Sequence, residues 1–232
     1  MAHDRTPPAP DRAPSVLVFD VNETLTDMTP LAARLADVGL PGHLLPAWFA
    51  GVLRDGTALT LAGTYASFAD VARDVLRTLL ARHAPASAAE EAVAHVLAGM
   101  PELPVNPDVP DGISALHTAG RRLLTLTNGS ADTTRAVLDR AGLTDCFEAL
   151  LDVSAAGAWK PAPAAYAHAL RTADVPAGEA MLVSVHPWDV NGAARACLAT
   201  AWLRRTAGPY PSVMCPADVT ADDLPDLARR LA

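Results

Sequence analysis

The residues of this 232-residue chain that could do chemistry stand where apolar runs stop. The run from Ser15 to Phe19 ends in Asp20, and a carboxylate buried at such a place is costly unless a cation or several donors meet it. The chain holds one lysine, Lys160, among 17 arginines. Lys160 is the candidate cation, although spacing alone does not prove the contact, and a GC-rich coding bias explains the scarcity of lysine by chance. Two further runs also end in polar residues: Arg122 to Thr127 (RLLTLT) before Asn128-Gly129-Ser130, and Met181 to Val185 (MLVSV) before His186 to Asp189. Together with Lys160 these ends supply a carboxylate, a cation, hydroxyl and amide donors and an imidazole, the groups that nucleophilic and acid–base chemistry require.

Such groups act only if the backbone brings them together. Continuous apolar runs of this length fit strands buried on both faces of a parallel sheet, where ligands bind beyond the carboxyl ends. A shorter run, Thr200 to Leu203, follows a small-residue helix expected from about Gly192 to Leu198. Helical patterns over Asp132 to Ala141, with Gly142 behind, and Pro163 to Ala173 separate the strands. Strand and helix alternate from about residue 110 onward, which predicts an α/β fold with an open parallel sheet and right-handed crossovers.

Between the first strand and the rest, residues 29–105 carry no strand-like run. Helices are expected over Pro30 to Val38, His43 to Leu53, Phe68 to Ala84 and Ser87 to Met100, followed by a Pro-rich stretch from Pro101 to Pro110. The predicted organisation is a disordered leader over 1–13, a core from 14–28 plus 106–232, and a helical insert over 29–105 placed to cap the strand ends. A purely structural helical layer is the simpler alternative for the insert.

Composition narrows the function classes. Acidic residues number 26 against 18 basic, a net charge of -8, which argues against a nucleic-acid partner because phosphate binding needs clustered basic charge. No run approaches the roughly 18 apolar residues of a membrane span, and the polar N-terminus lacks the apolar stretch of a secretory signal. A cytoplasmic protein without a membrane partner is expected. Cys146, Cys197 and Cys215 have no zinc-like spacing and read as ordinary thiols.

Four segments, FDVNETLTD (Phe19 to Asp27), LTNGS (Leu126 to Ser130), WKPAPAAY (Trp159 to Tyr166) and SVHPWDVNGA (Ser184 to Ala193), resemble in order and spacing the four motifs of the haloacid dehalogenase superfamily. With the helical insert, the chain looks most like the type II L-2-haloacid dehalogenase branch. The resemblance covers residues 14–232 and implies a Rossmann-like core with a helical cap. It implies that Asp20 attacks a substrate carbon to form an aspartyl ester that water then hydrolyses. Thr24 would orient Asp20, Lys160 would keep it ionised, and Asp189 would partner Lys160 and the hydrolytic water, with Ser184 and Tyr166 also at family site positions. Asn22, Thr127, Asn128 and His186 would contact the substrate, and Trp188 and Phe68 would wall its pocket. It also implies a small carboxylic acid as substrate, no cofactor or metal, and the homodimer common in that branch.

Plainer roles exist for several of these. Thr24 and Ser184 could tie down turns, Tyr166 could be a core aromatic, Trp188 could only pack, and His186 could simply be a turn residue before proline.

Two departures from the pattern shape the expected chemistry. Superfamily phosphatases carry a second Asp two residues after the nucleophile as general acid, where this chain has Asn22, and after the last strand only Asp189 is acidic. An amide cannot donate and recover a proton, whereas halide leaves without an acid, so carbon–halogen chemistry is favoured. The halide-cradling Arg of the dehalogenases falls on Phe49, and Arg54 lies about 140° further round an ideal helix, so it reaches the site only if the helix bends near Gly51. Asn22, Glu23 and His186 also stand where the best-known dehalogenases have Tyr, Gly and Asn. Alternatives to dehalogenation are a phosphoryl group or another carbon electrophile at Asp20, such as a secondary metabolite, and a catalytically weak protein that binds a small acid.

Overall fold

The computed structural model describes residues 14–83, 89–205 and 208–232. The leader expected over 1–13 lies outside the described residues, as do the expected helix ends at Ala84 and Ser87.

The chain builds one parallel sheet of six strands: β1 (Val16–Phe19), β2 (Arg122–Thr127), β3 (Ala149–Asp152), β4 (Ala180–Ser184), β5 (Ala199–Leu203) and β6 (Val219–Ala221), in the order β3-β2-β1-β4-β5-β6. β1 is central, with Phe19 level with Thr125 on one side and Val183 on the other. Its four residues are fully buried because the sheet is covered on both faces. Successive side chains alternate across a strand, so Val16 and Val18 enter one apolar cluster and Leu17 and Phe19 the other. The predicted α/β class is what the chain adopts.

Among the described residues, four helices fill the insert after β1: α1 (Leu31–Asp37), α2 (Leu45–Leu61), α3 (Phe68–His83) and α4 (Ala89–Leu97). Leu35, Trp48, Val52, Leu76 and Val93 from these helices share a cluster with Val16, Val18 and Leu124 of the sheet, so the helices pack on the strand ends through a continuous core. α2 runs eight residues beyond the expected end at Leu53. Gly56 does not break it, because its missing side chain makes room for the Trp159 ring; a Cβ there would lie 2.4 Å from the indole.

The remaining helices are α5 (Val109–Thr118), α6 (Ala131–Ala141), α7 (Pro163–Ala173), α8 (Pro187–Arg195) and α9 (Leu224–Arg230). α6 and α7 match expectation, with Ser130 capping α6 and Gly142 ending it in a left-handed turn at φ 67°. α8 starts five residues earlier than the expected Gly192 and stops before Leu198, because Pro187 is tolerated in a first helical turn and Cys197 turns out of the helix at φ 65°. α5 begins inside the Pro-rich stretch for the same reason, with Pro110 in its first turn. Among the described residues the three cysteines are free and no helix is long and apolar enough to cross a membrane.

Candidate active site

The ends of β1 and β4 and the segment between β3 and α7 converge. Asp20 follows β1 and is 4% exposed, Lys160 precedes α7 and is 0% exposed, and Asp189 lies in the first turn of α8, also 0% exposed. Lys160 Nζ donates to Asp20 Oδ1 at 2.8 Å and to Asp189 Oδ2 at 2.7 Å. Thr24 Oγ1 donates to Asp20 Oδ2 at 2.6 Å and accepts from the Val185 amide at 3.1 Å. Tyr166 donates its hydroxyl to Asp189 Oδ1 at 2.6 Å. Each buried charge therefore has the partners that low-dielectric surroundings demand.

Two carboxylates sharing one ammonium cannot be equivalent. Burial works to raise the Asp20 carboxyl, but Lys160, His186 and the hydrogen bonds from Lys160 and Thr24 hold it below the usual carboxylate range. Asp189 lies above its usual value, pushed up by burial and by the Asp20 charge against the pull of Lys160. Burial opposes the Lys160 charge, yet Asp189 and Asp20 keep it raised. Burial and Asp189 push the Tyr166 phenol well above its ordinary value, so it remains a donor. The outcome is an ionised Asp20 beside an Asp189 that accepts a proton more readily, the separation that divides nucleophile from base.

Asn128 holds the lysine in place. Its Oδ1 accepts from the Lys160 amide at 2.8 Å and its Nδ2 donates to the Lys160 carbonyl at 3.3 Å, which leaves one N–H for a ligand. Thr127 is buried beside it and its hydroxyl accepts from the Gly129 amide at 2.8 Å. Ser184 Oγ accepts from the His186 amide at 3.0 Å and so fixes the turn into α8.

His186 faces the nucleophile. Its Nε2 lies 3.2 Å from the Asn22 carbonyl, 3.7 Å from Asp20 Oδ2 and 3.7 Å from Glu23 Oε2. Three oxygens around one nitrogen make Nε2 the protonated, donating one. The ring stacks on Trp188 at 5.1 Å and meets Phe49 at 6.1 Å. Phe68 stacks on Trp159 at 5.9 Å, over the lysine-bearing segment.

Arg54 is a correction. Its side chain is 73% exposed and its guanidinium is spent on Asp55 at 2.7 Å. α2 continues as one helix through Gly51, so the angular offset from Phe49 carries Arg54 away from the site. Among the described residues, the cation that meets Asp20 is Lys160, and the His186 ring lies beside it.

Sequence reasoning did not single out Glu23, Asn106 or Arg205 as site residues. Glu23 adopts φ 63°, a left-handed conformation that costs a non-glycine residue about 1–3 kcal/mol and so marks a position worth inspection. Asn106 Nδ2 donates to the carbonyls of Glu23, Thr24 and Thr26, and Arg205 Nη2 to that of Thr24 at 2.9 Å, pinning the loop after Asp20. Trp159 was passed over as well; its indole donates to the Ala66 carbonyl at 2.9 Å and ties the Lys160 segment to the insert. The Pro-flanked WKP sequence was the only available signal for it.

The donor set does not suit a magnesium ion. Such an ion takes carboxylate and carbonyl oxygens in near-octahedral geometry, but the Lys160 ammonium already bridges Asp20 and Asp189 and the residue two beyond Asp20 is the amide Asn22. Among the described residues no group of three or more His, Cys, Asp or Glu side chains is placed to hold a metal.

Comparison with known proteins agrees with this arrangement. A family model described as haloacid dehalogenase-like hydrolase matches residues 14–196. The chain is 27% identical over 197 residues to an (S)-2-haloacid dehalogenase of Pseudomonas sp. (strain YL), covering 84% of each chain. It is 30% identical over 179 residues to an (S)-2-haloacid dehalogenase of Xanthobacter autotrophicus, covering 76% of this chain and 70% of that one. Among solved structures, the L-2-haloacid dehalogenase from Xanthobacter autotrophicus with chloropropionic acid covalently bound superposes with a TM-score of 0.84 at 25% identity, over 93% of this chain and 97% of that one.

Proposed function

The chain belongs to the haloacid dehalogenase-like hydrolases, and from that premise we propose that it converts a 2-haloalkanoic acid to the 2-hydroxy acid through an ester on Asp20. The observation that carries this reading is the Asp20 carboxylate, held ionised by Lys160 at 2.8 Å and oriented by Thr24 at 2.6 Å, with an amide at Asn22 where a proton donor to a poor leaving group would stand.

In the first step an Asp20 oxygen attacks C2 of the substrate. The C–O bond forms as the carbon–halogen bond breaks, and the halide leaves with the bonding pair. In the second, water adds to Cγ of the ester while Asp189 takes its proton. The tetrahedral centre then collapses, the 2-hydroxy acid leaves as its oxygen takes that proton back, and the remaining proton of the added water passes from Asp20 to solvent, which restores the carboxylate. Splitting one displacement into two is the gain from a covalent intermediate.

Thr127 and the spare N–H of Asn128 would receive the substrate carboxylate. Phe49 brings no charge to the departing halide. That task falls to the His186 N–H, aided by the weakly positive edges of the Phe49 and Trp188 rings. Tyr166 and Lys160 hold Asp189 in place for the water.

The test is halide release from bromoacetate and 2-chloropropionate. Wild type is expected to release halide and Asp20→Asn to release none. Silence of the wild type across a panel of 2-haloacids would overturn the reading.

A further inference from the structure

Below α4 and the turn that follows it, the ends of β1, β2 and β3 open into a cavity of about 330 Å³. One end is polar and adjoins the Asp20 cluster through Asn22, Thr127 and Gly129. Phe68, Leu97 and Met100 of the insert and Val137 of α6 supply apolar lining, and Tyr65, Ser67, Thr133 and Thr134 add hydroxyls. A water-sized group occupies about 30 Å³, so the space holds about ten of them, well beyond what a haloacetate fills. Small-molecule sites have this character: apolar surface interrupted by polar groups that fix orientation.

One charge on the wall limits what can enter. Asp152 lines the cavity, and its carboxylate oxygens accept from the Ala131 amide at 2.9 Å and the Ser154 amide at 2.9 Å. Burial raises its carboxyl, but these hydrogen bonds hold it below the usual range, so it presents a fixed negative charge with its acceptor sites occupied. A second carboxylate in the ligand would meet repulsion there.

Resting on the dehalogenation reading, we propose that this cavity receives the apolar substituent of the substrate, and that the preferred substrates are 2-halo monocarboxylic acids with a medium-length alkyl or an aryl chain. The carboxylate stays at the strand-end donors, C2 lies against Asp20, and the chain runs between Phe68 and Val137 under Leu97 and Met100.

Two measurements on the intact protein test this separately from turnover. Calorimetric titration with acetate, butanoate, hexanoate and octanoate should show affinity rising about fourfold per buried methylene, and succinate should bind more weakly than butanoate. Affinity that is flat along the series, or succinate matching butanoate, would overturn the proposal. Halide release should follow the same order, with 2-bromooctanoate exceeding 2-bromopropionate in kcat/KM. Filling the cavity with Val137→Trp, or more mildly with Leu97→Phe, should abolish the chain-length gain in acid affinity and in halide release. Octanoate that still binds tightly to a folded, filled variant sits elsewhere and contradicts the proposal. Tight octanoate binding without halide release from any bromoacid would overturn the dehalogenation reading and uphold the cavity as an apolar acid site. Halide release from 2-bromopropionate with flat acid affinities would do the reverse.

Discussion

The Lys160 ammonium meets the Asp20 carboxylate at 2.8 Å across 140 residues of chain, with both groups buried. Removing one partner of a buried pair leaves an uncompensated charge and costs about 3–5 kcal/mol. Lys160→Met should therefore unfold at markedly lower urea concentration than wild type and show no turnover. Lys160→Arg keeps the charge, but its planar fork does not fit a site shaped for a point charge bridging two carboxylates. Its kcat/KM should fall by about a hundredfold or more; near-normal turnover would remove Lys160 from the mechanism.

A pH profile tests the electrostatics. Asp20 is depressed below the ordinary aspartate value of 3.8, so its carboxylate survives as pH falls past that value and is lost only on passing through the lower folded one. Its contribution to stability has the same sign: present above the unfolded value and lost as pH falls through the folded value. Lys160 is raised above 10.5, so its contribution is present below that value and lost as pH rises through the folded one. Thr24→Val deletes one hydrogen bond to Asp20 and should move the acid limb of kcat/KM upward. An unmoved limb would show that Thr24 does not stabilise the charged form.

Tyr166 is the probe of the second step. Tyr166→Phe keeps the ring and removes the 2.6 Å hydrogen bond to Asp189, a bond to a charged group worth about 1.5–3 kcal/mol. The variant should fold with reduced stability, and ester hydrolysis should slow more than halide release. Single-turnover measurement of the two steps separates them, and equal slowing of both would assign Tyr166 to scaffold alone.

Much of this arrangement is legible in the amino-acid sequence. β1, β2 and β4 were readable because a strand covered on both faces needs an unbroken apolar run, and the polar residues that end those runs are the ones that meet over Asp20. β3 and β6 lie at the sheet edges, where half-buried strands of four and three residues need no such run. α5 was hidden by prolines that a first helical turn tolerates. At the site, Asp20, Lys160, Tyr166 and Asp189 come together as the motifs implied. Glu23 was not singled out because a left-handed backbone at a glutamate leaves no mark in composition, and Asn106 and Arg205 act on the loop from about 80 and 180 residues away. Arg54 needs a bend near Gly51 to reach the site, and α2 continues through Gly51 as one helix.

His186 separates packing from chemistry. His186→Phe preserves the stack between Phe49 and Trp188 but deletes the N–H beside Asp20. Loss of one such donor typically costs about a hundredfold in kcat. A folded variant slowed to that degree is expected, whereas unchanged kcat would make His186 a packing residue.

Gly56 tests the link between insert and lysine. Gly56→Ala forces a methyl group against the Trp159 indole, and overpacking of this kind costs about 1–3 kcal/mol. Displacing Trp159 shifts the adjacent Lys160, so urea midpoint and kcat should fall together; wild-type kcat in a destabilised variant would uncouple the two.

The central claim is that Asp20 becomes an ester. Mass spectrometry of the Asp20-containing peptide, after turnover of 2-bromopropionate in oxygen-18 water, tests it most directly. The account predicts heavy oxygen in the Asp20 carboxylate, because water attacks Cγ in every cycle. Halide release with label only in the product hydroxyl and none in Asp20 would show that water attacks the substrate carbon itself, and would contradict it.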